Sequence, residues 1–229
     1  MNAMATDAIS HSQRVALLRL MHLVSPALPV GAYAYSQGME SAVELSWVHD
    51  EASARVWLRG VLLSGLARLE LPTLLLLMRS DDEQWDVLNQ RLLAARETEE
   101  LYLEDTQLGA ALRKILSTLQ IALPSQLVQG DISFVAAFTL AGRHFGIDAP
   151  TLATGLAWSW LENQLAAATK LIPLGQTQAL RILDALIADV ADAVALAQAL
   201  PVEDIGATLP GVVMASCFHQ TQYSRLFRS

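Results

Sequence analysis

The sequence predicts an all-α fold, a single-domain helical bundle with a flexible C-terminal tail. Three observations carry this prediction. Apolar residues recur at three- and four-residue steps through most of the chain. No segment keeps the two-residue alternation of a half-buried strand. Pro26, Pro29, Pro124, Pro173 and Pro201 punctuate the periodic stretches, and proline ends helices because it lacks the N–H that the helix interior needs. With no internal repeat, low-complexity tract or clear boundary, the division expected is a flexible N-terminus over 1–12, one helical domain over 13–200, and a linker with a partner-binding tail over 201–229.

In chain order, a first helix is expected over 14–24, with Val15, Leu18 and Met21/His22 on one side. Pro26 and Pro29 then force an extended or turning segment, since the residue before a proline is pushed out of the α region. A short helix follows over 37–46. Asp50 reads as the N-cap of a long helix with Val56, Leu58, Leu62, Leu63, Leu66 and Leu69 at its apolar positions. Pro72 should kink or restart it, and 74–78 continues the helix. A charged amphipathic stretch runs over 83–119. Asp131 is expected to cap a helix ending at Phe145, with Gly146 as its stop, and Asp148 with Pro150 opens the next. That helix, to about Leu171, is apolar nearly all round, as central bundle helices are. A last helix over 175–200 places Leu183, Ile187, Val190, Val194 and Ala197 along one seam.

Composition narrows the function classes. Of 229 residues 53% are hydrophobic and 17% charged, against about 25% charged in ordinary soluble domains. Surplus apolar surface goes into subunit or partner contacts, so an oligomer is expected. Mean hydropathy is +0.35, yet no uninterrupted apolar run of about 20 residues crosses a membrane's width. Arg59, Arg68, Glu70 and Arg79 break the leucine-rich stretch. Asp7 and the polar 11–14 stretch replace a signal peptide's apolar region. The lone Cys217 excludes an internal disulfide and fits a reducing compartment, so the reading is cytoplasmic. The net charge of −8 argues against nucleic acid.

The search for chemistry ends in near misses. Gly60 and Gly65 have the spacing of a phosphate loop, but the Lys-Ser/Thr pair that grips phosphate and magnesium is missing, and the stretch reads as small-residue helix packing. Among His11, His22, His49, His144, His219 and Cys217, only Cys217-x-His219 approaches metal-ligand spacing, and two ligands make no closed site; a buried thiol beside a polar histidine is the plainer reading. Glu97, Glu99, Glu100, Glu104 and Asp105 read as an exposed acidic face or docking surface, and Asp184, Asp189 and Asp192 as a solvated one. No nucleophile elbow, cofactor motif or metal set is found. The competing reading is a small-molecule enzyme on a helical bundle, using His22 or His219 with nearby carboxylates, which requires a pocket with perturbed ionisable groups. A peripheral membrane protein would need a basic amphipathic face, which the acidic balance does not supply.

Three stretches are more particular than helix formation demands. Ser25-Pro-Ala-Leu-Pro-Val-Gly-Ala-Tyr-Ala-Tyr-Ser-Gln-Gly-Met-Glu40 resembles the N-terminal signature of the UreF family of urease accessory proteins. Ala95-Arg-Glu-Thr-Glu-Glu-Leu101, with Glu104, Asp105, Gln107 and Gly109, is similar to its central charged helix. His219-Gln-Thr-Gln-Tyr-Ser-Arg-Leu-Phe-Arg-Ser229 resembles its terminal motif, and Lys170-Leu-Ile-Pro-Leu-Gly-Gln176 matches a further segment. The resemblance is collinear from about Leu17 to Ser229. It departs at Phe218 and Gln220, where the family tends to carry a basic and an acidic residue, so no charge-based role is carried over to those positions.

The resemblance implies a helical homodimer that binds a UreD/UreH-type accessory protein and, through that complex, the GTPase UreG. The assembly would dock on apo-urease, where GTP hydrolysis accompanies nickel insertion, and this chain would have no catalytic residues. The expected partner-binding positions are Tyr33, Tyr35, Ser36, Gln37, Glu40, Glu97, Glu100, Lys170, Gln176, His219, Tyr223, Ser224, Arg225, Leu226 and Phe227. Tyr33 and Tyr35 offer rigid amphipathic contacts, or else cover the core. Tyr223, Arg225, Leu226 and Phe227 suit a tail that orders on binding, or else a plain disordered end. Lys170 is a GTPase contact, or a cation complementing a helix dipole. Glu97 and Glu100 would orient a basic partner.

Overall fold

A computed structural model describes residues 10–229, the side chain of Gln126 excepted. The described residues form helices and turns without a strand. Helix α1 spans His11–Leu23, α2 Met39–Glu44, α3 Glu51–Val61, α4 Glu70–Arg79 and α5 Trp85–Ala94. There follow α6 Glu99–Thr118, α7 Phe134–His144, α8 Ala149–Leu171, α9 Gln176–Ala199 and α10 Pro210–His219. Helix α8 packs against α9, α4, α3, α2, α7 and α1, the central position that its apolar circumference dictates. Its Gly155 lets α1 approach, since a Cβ there would lie 2.6 Å from Leu20 Cδ1.

Several boundaries differ from expectation. Most of the N-terminus expected to be flexible lies outside the described residues, but His11 and Ser12 already belong to α1. Ser10 caps that helix, accepting from Gln13 N–H at 3.2 Å while Gln13 Oε1 accepts from Ser10 N–H at 2.8 Å. Its Leu20 and Leu23 face the core, whereas Val15, Leu18 and Met21 are exposed. Asp50 caps α3 as expected, its Oδ1 accepting from Ser53 N–H at 2.8 Å. The long helix relaxes into a π-helical turn over Leu62–Leu66 and restarts at Glu70. Pro72 therefore falls in the first turn of α4, where no intrahelical N–H is missed.

The charged stretch over 83–119 divides because Thr98 caps α6, accepting from Leu101 N–H at 3.3 Å. Ser133 rather than Asp131 caps α7. Buried Asn89 clamps that turn, donating to Asp131 O at 2.9 Å and accepting from Ser133 N–H at 2.8 Å. Asp148 caps α8 as expected. On α9 the buried stripe is Ile182, Leu186, Val190, Ala193, Val194 and Ala197, and Ile187 is 52% exposed, so the seam lies one residue from the expected register at its start.

The helical run Glu51–Arg79, 29 residues long, is long and apolar enough to cross a membrane by length and composition, with charges interrupting it as expected; 56% of its most apolar window is buried in the bundle. Leu58, Leu62, Leu71, Leu74 and Leu77 are among its fully buried core residues. Cys217 is exposed and His219 buried, the reverse of the expected pair, because residues two apart on a helix face opposite sides. The segment expected as a linker and flexible tail contains α10, which packs on α2, and ends with Phe227 and Ser229 buried.

Candidate functional site

The site is built on the turn between α1 and α2. Gln37 and Gly38 adopt positive φ of 54° and 78°. Gly38 suits this conformation and also admits α10, since a Cβ there would meet Ser216 N at 3.0 Å. The turn aims Ser36, Gln37 and the first-turn Glu40 of α2 at α6, α8 and the C-terminal segment.

Four backbone groups of that segment meet a prepared partner. Ser36 donates to the Ser229 carbonyl from its N–H at 2.8 Å and from its hydroxyl at 2.6 Å. Arg228 N–H donates to Ala34 O at 2.8 Å. Glu40 accepts from Leu226 N–H at 2.7 Å and Phe227 N–H at 2.8 Å, one on each carboxylate oxygen. Such charge-assisted bonds are roughly twice as strong as neutral ones. Below them His219, fully buried, lies between Glu40 at 3.2 Å and Glu100 at 2.8 Å. Glu100 also accepts from Arg225 at 3.0 Å, and Lys170 Nζ lies 5.5 Å from the centre of the buried Phe227 ring.

A second layer extends this network inward. Ser229 Oγ donates to Glu104 at 2.7 Å, and Gln37 donates to the other oxygen of Glu104 at 2.7 Å while accepting from Trp160 Nε1 at 2.8 Å. Tyr35 donates to Gln107 at 2.6 Å. Burial raises the Glu104 carboxyl to about 7, against the lowering effect of its hydrogen bonds to Gln37 and Ser229. Deeper, Arg96 bridges Glu70 and Asp105. Burial opposes its charge, but the carboxylates outweigh that and raise its pKa. Asp105 also accepts from Phe134 N–H at 2.7 Å, tying the start of α7 to the triad. Beside the network a cavity of about 300 Å³ opens between the α1–α2 turn, the π-helical turn, α6, α8 and the approach to α10.

Of the residues singled out from sequence, Tyr35, Ser36, Gln37, Glu40, Glu100, Lys170, His219, Arg225 and Phe227 meet here, and Leu226 joins by its backbone. Tyr33, 70% exposed, and exposed Glu97 lie on the cavity. Gln176 stands apart at the exposed start of α9. Tyr223 and Ser224 are exposed, and the Ser224 carbonyl accepts from Gln222. Phe218 and Gln220 are exposed, so the departure from the family pattern falls outside the buried network.

Glu104 and Asp105 are buried rather than on an acidic outer face. Their signal was the four-residue step from Glu100 to Glu104, which puts both on one face of α6. Arg96 and Ser229 lie within the family-like stretches but were not singled out there, and Trp160 lies outside them. His22 is exposed and His219 does not line the cavity, so neither histidine of the competing enzyme reading faces the pocket that reading requires.

Fold and site define an all-helical protein whose buried polar groups hold its own C-terminal segment to the bundle, leaving Tyr223 and Leu226 open to solvent. Comparison with known proteins agrees. The family model described as UreF matches residues 48–187. Urease accessory protein UreF of Marinomonas sp. (strain MWYL1) is 45% identical over 233 residues, covering all of both chains. That of Chromohalobacter salexigens is 46% identical over 99% of this chain and 100% of its own, and that of Hahella chejuensis 47% over 94% and 99%. The chain belongs to the UreF family of urease accessory proteins.

Proposed function

We propose that this chain is a non-catalytic, cytoplasmic scaffold in urease maturation. It bridges a UreD/UreH-type accessory protein and the GTPase UreG, so that GTP hydrolysis by that partner accompanies insertion of nickel, the cargo, into apo-urease. The observation that carries the reading is the convergence of the stretches resembling the family's motifs on one network that holds 225–229 against α2 and α6. A network of this size serves to present the segment's outer face in one conformation, which lowers the ordering cost of binding.

That face carries Tyr223, fully exposed, and Leu226, 64% exposed, with Arg225 held by Glu100. An aromatic, an arginine and a leucine on a fixed backbone make a suitable hot spot. The exposed Val15, Leu18 and Met21 of α1 and Leu180 and Ile187 of α9 supply apolar surface for the homodimer and for further partners.

The test is co-purification of the UreD/UreH-type protein and UreG with the intact chain and with Y223A/L226A. These side chains are exposed, so the fold is retained while capture falls about ten-fold or more. Loss of the chain from its urease-producing host should leave nickel-poor, inactive urease. Normal activity there, or undiminished capture by the variant, defeats the respective part of the reading.

A further inference from the structure

The cavity beside the network has an unusual charge balance. Its apolar walls include Leu28, Val30, Leu66, Leu101, Leu156 and Val213, yet Glu70, Glu97, Glu104, Asp105 and Glu162 also line it, with Arg96 the basic residue among them. Arg96 is already paired with Glu70 and Asp105. Glu97, Glu104 and Glu162 form no ion pair among the described residues. They are graded in depth, Glu97 exposed, Glu162 half-buried and Glu104 buried.

We infer that this groove receives a Lys or Arg side chain carried on an apolar loop or helix of a partner protein, its stem lying along the leucine and valine walls and its charge on Glu162 and Glu104. This deepens the scaffold reading and rests on it. Lysine and arginine match the groove because their apolar stems lie along greasy surface while the charged head seeks polar partners. Burial raises the carboxyls of both Glu104 and Glu162, and an incoming cation would favour their ionised forms. A second copy of this chain is a poorer occupant, because it brings another net charge of −8. Glu104 is also the acceptor of Ser229 Oγ, so an occupant would touch the group that holds the C-terminal segment.

The test titrates the intact chain, wild type and E97K/E162K, against the purified UreD/UreH-type protein and, separately, UreG. Titrations are run at low and moderate salt, with sedimentation to follow self-association. For one partner the variant should bind about ten-fold or more weakly at low salt, and added salt should weaken the wild type more than the variant. A166W, which fills the groove from an exposed wall position without changing charge, should weaken the same partner. If the lysines unfold the chain by circular dichroism, E97Q/E162Q carries the same test with a smaller, about three-fold, effect. Variants that bind both partners as the wild type does overturn the groove assignment and leave the scaffold reading standing. Variants that lose only self-association overturn it too, in favour of a second copy. A wild-type chain that binds neither partner ends the scaffold reading and this one with it.

Discussion

Glu40→Gln removes the charge that holds the C-terminal segment and faces His219. Glu40 is 8% exposed, and its two oxygens accept the Leu226 and Phe227 N–H groups at 2.7 and 2.8 Å. Hydrogen bonds to charged groups contribute about 1.5–3 kcal/mol each. The amide keeps one acceptor oxygen, now uncharged, and turns an NH₂ group toward the other donor. One bond is lost and the other weakened, so docking of the segment should lose about 2–4 kcal/mol. Because about 1.4 kcal/mol is ten-fold in an equilibrium, the open fraction rises by roughly 30- to 1,000-fold. Hydrogen exchange resolved at the Leu226 and Phe227 amides measures this directly, with α4, α7 and α8 keeping their protection. Exchange at those two amides within about three-fold of wild type would refute the assignment of Glu40 as the anchor.

The buried ionisable groups and one tight helix crossing give three further outcomes. The Glu104 carboxyl is raised from 4.5 to about 7, so the folded state binds the proton more tightly than the unfolded chain. Its stabilising contribution is complete below about pH 4.5 and lost as pH rises through about 7. Urea unfolding at pH 5 and 8 should therefore show the wild type losing on the order of 3 kcal/mol more than E104Q across that interval; equal losses would contradict it. Arg96→Met leaves buried Asp105 and half-buried Glu70 without their cation, at a cost of about 3–5 kcal/mol by denaturant midpoint, and a loss under 1 kcal/mol would mean the triad is solvated. Gly109→Ala puts a Cβ on the Ile132 carbonyl at the crossing of α6 with the approach to α7. Backbone cannot yield as a side chain does, so destabilisation of about 3 kcal/mol or more is expected in thermal unfolding, and a neutral result would show the crossing to be loose.

The chain's order of residues by itself determined the helical class, the caps at Asp50 and Asp148 and the central place of α8, because periodicity, capping and uniform apolarity act over one or a few turns. It also marked the stretches around Glu40, Glu100, Lys170 and Arg225, since those residues are more specific than helix formation requires. Tertiary structure alone decided which side of α1 faces inward: Leu20 fits against Gly155 and Leu23 is buried beside it in the core, whereas the equally apolar Val15 and Leu18 stay exposed. It alone turned the acidic run of α6 from a surface into a buried acceptor set. A carboxylate is buried only where donors meet it, and Gln37, His219, Arg225 and Ser229 come from positions remote in the chain. The docking of the last residues has the same cause. Nothing local in a polar, aromatic terminus prescribes order, and the order comes from Glu40, more than 180 residues away along the chain and 2.7 Å away in space.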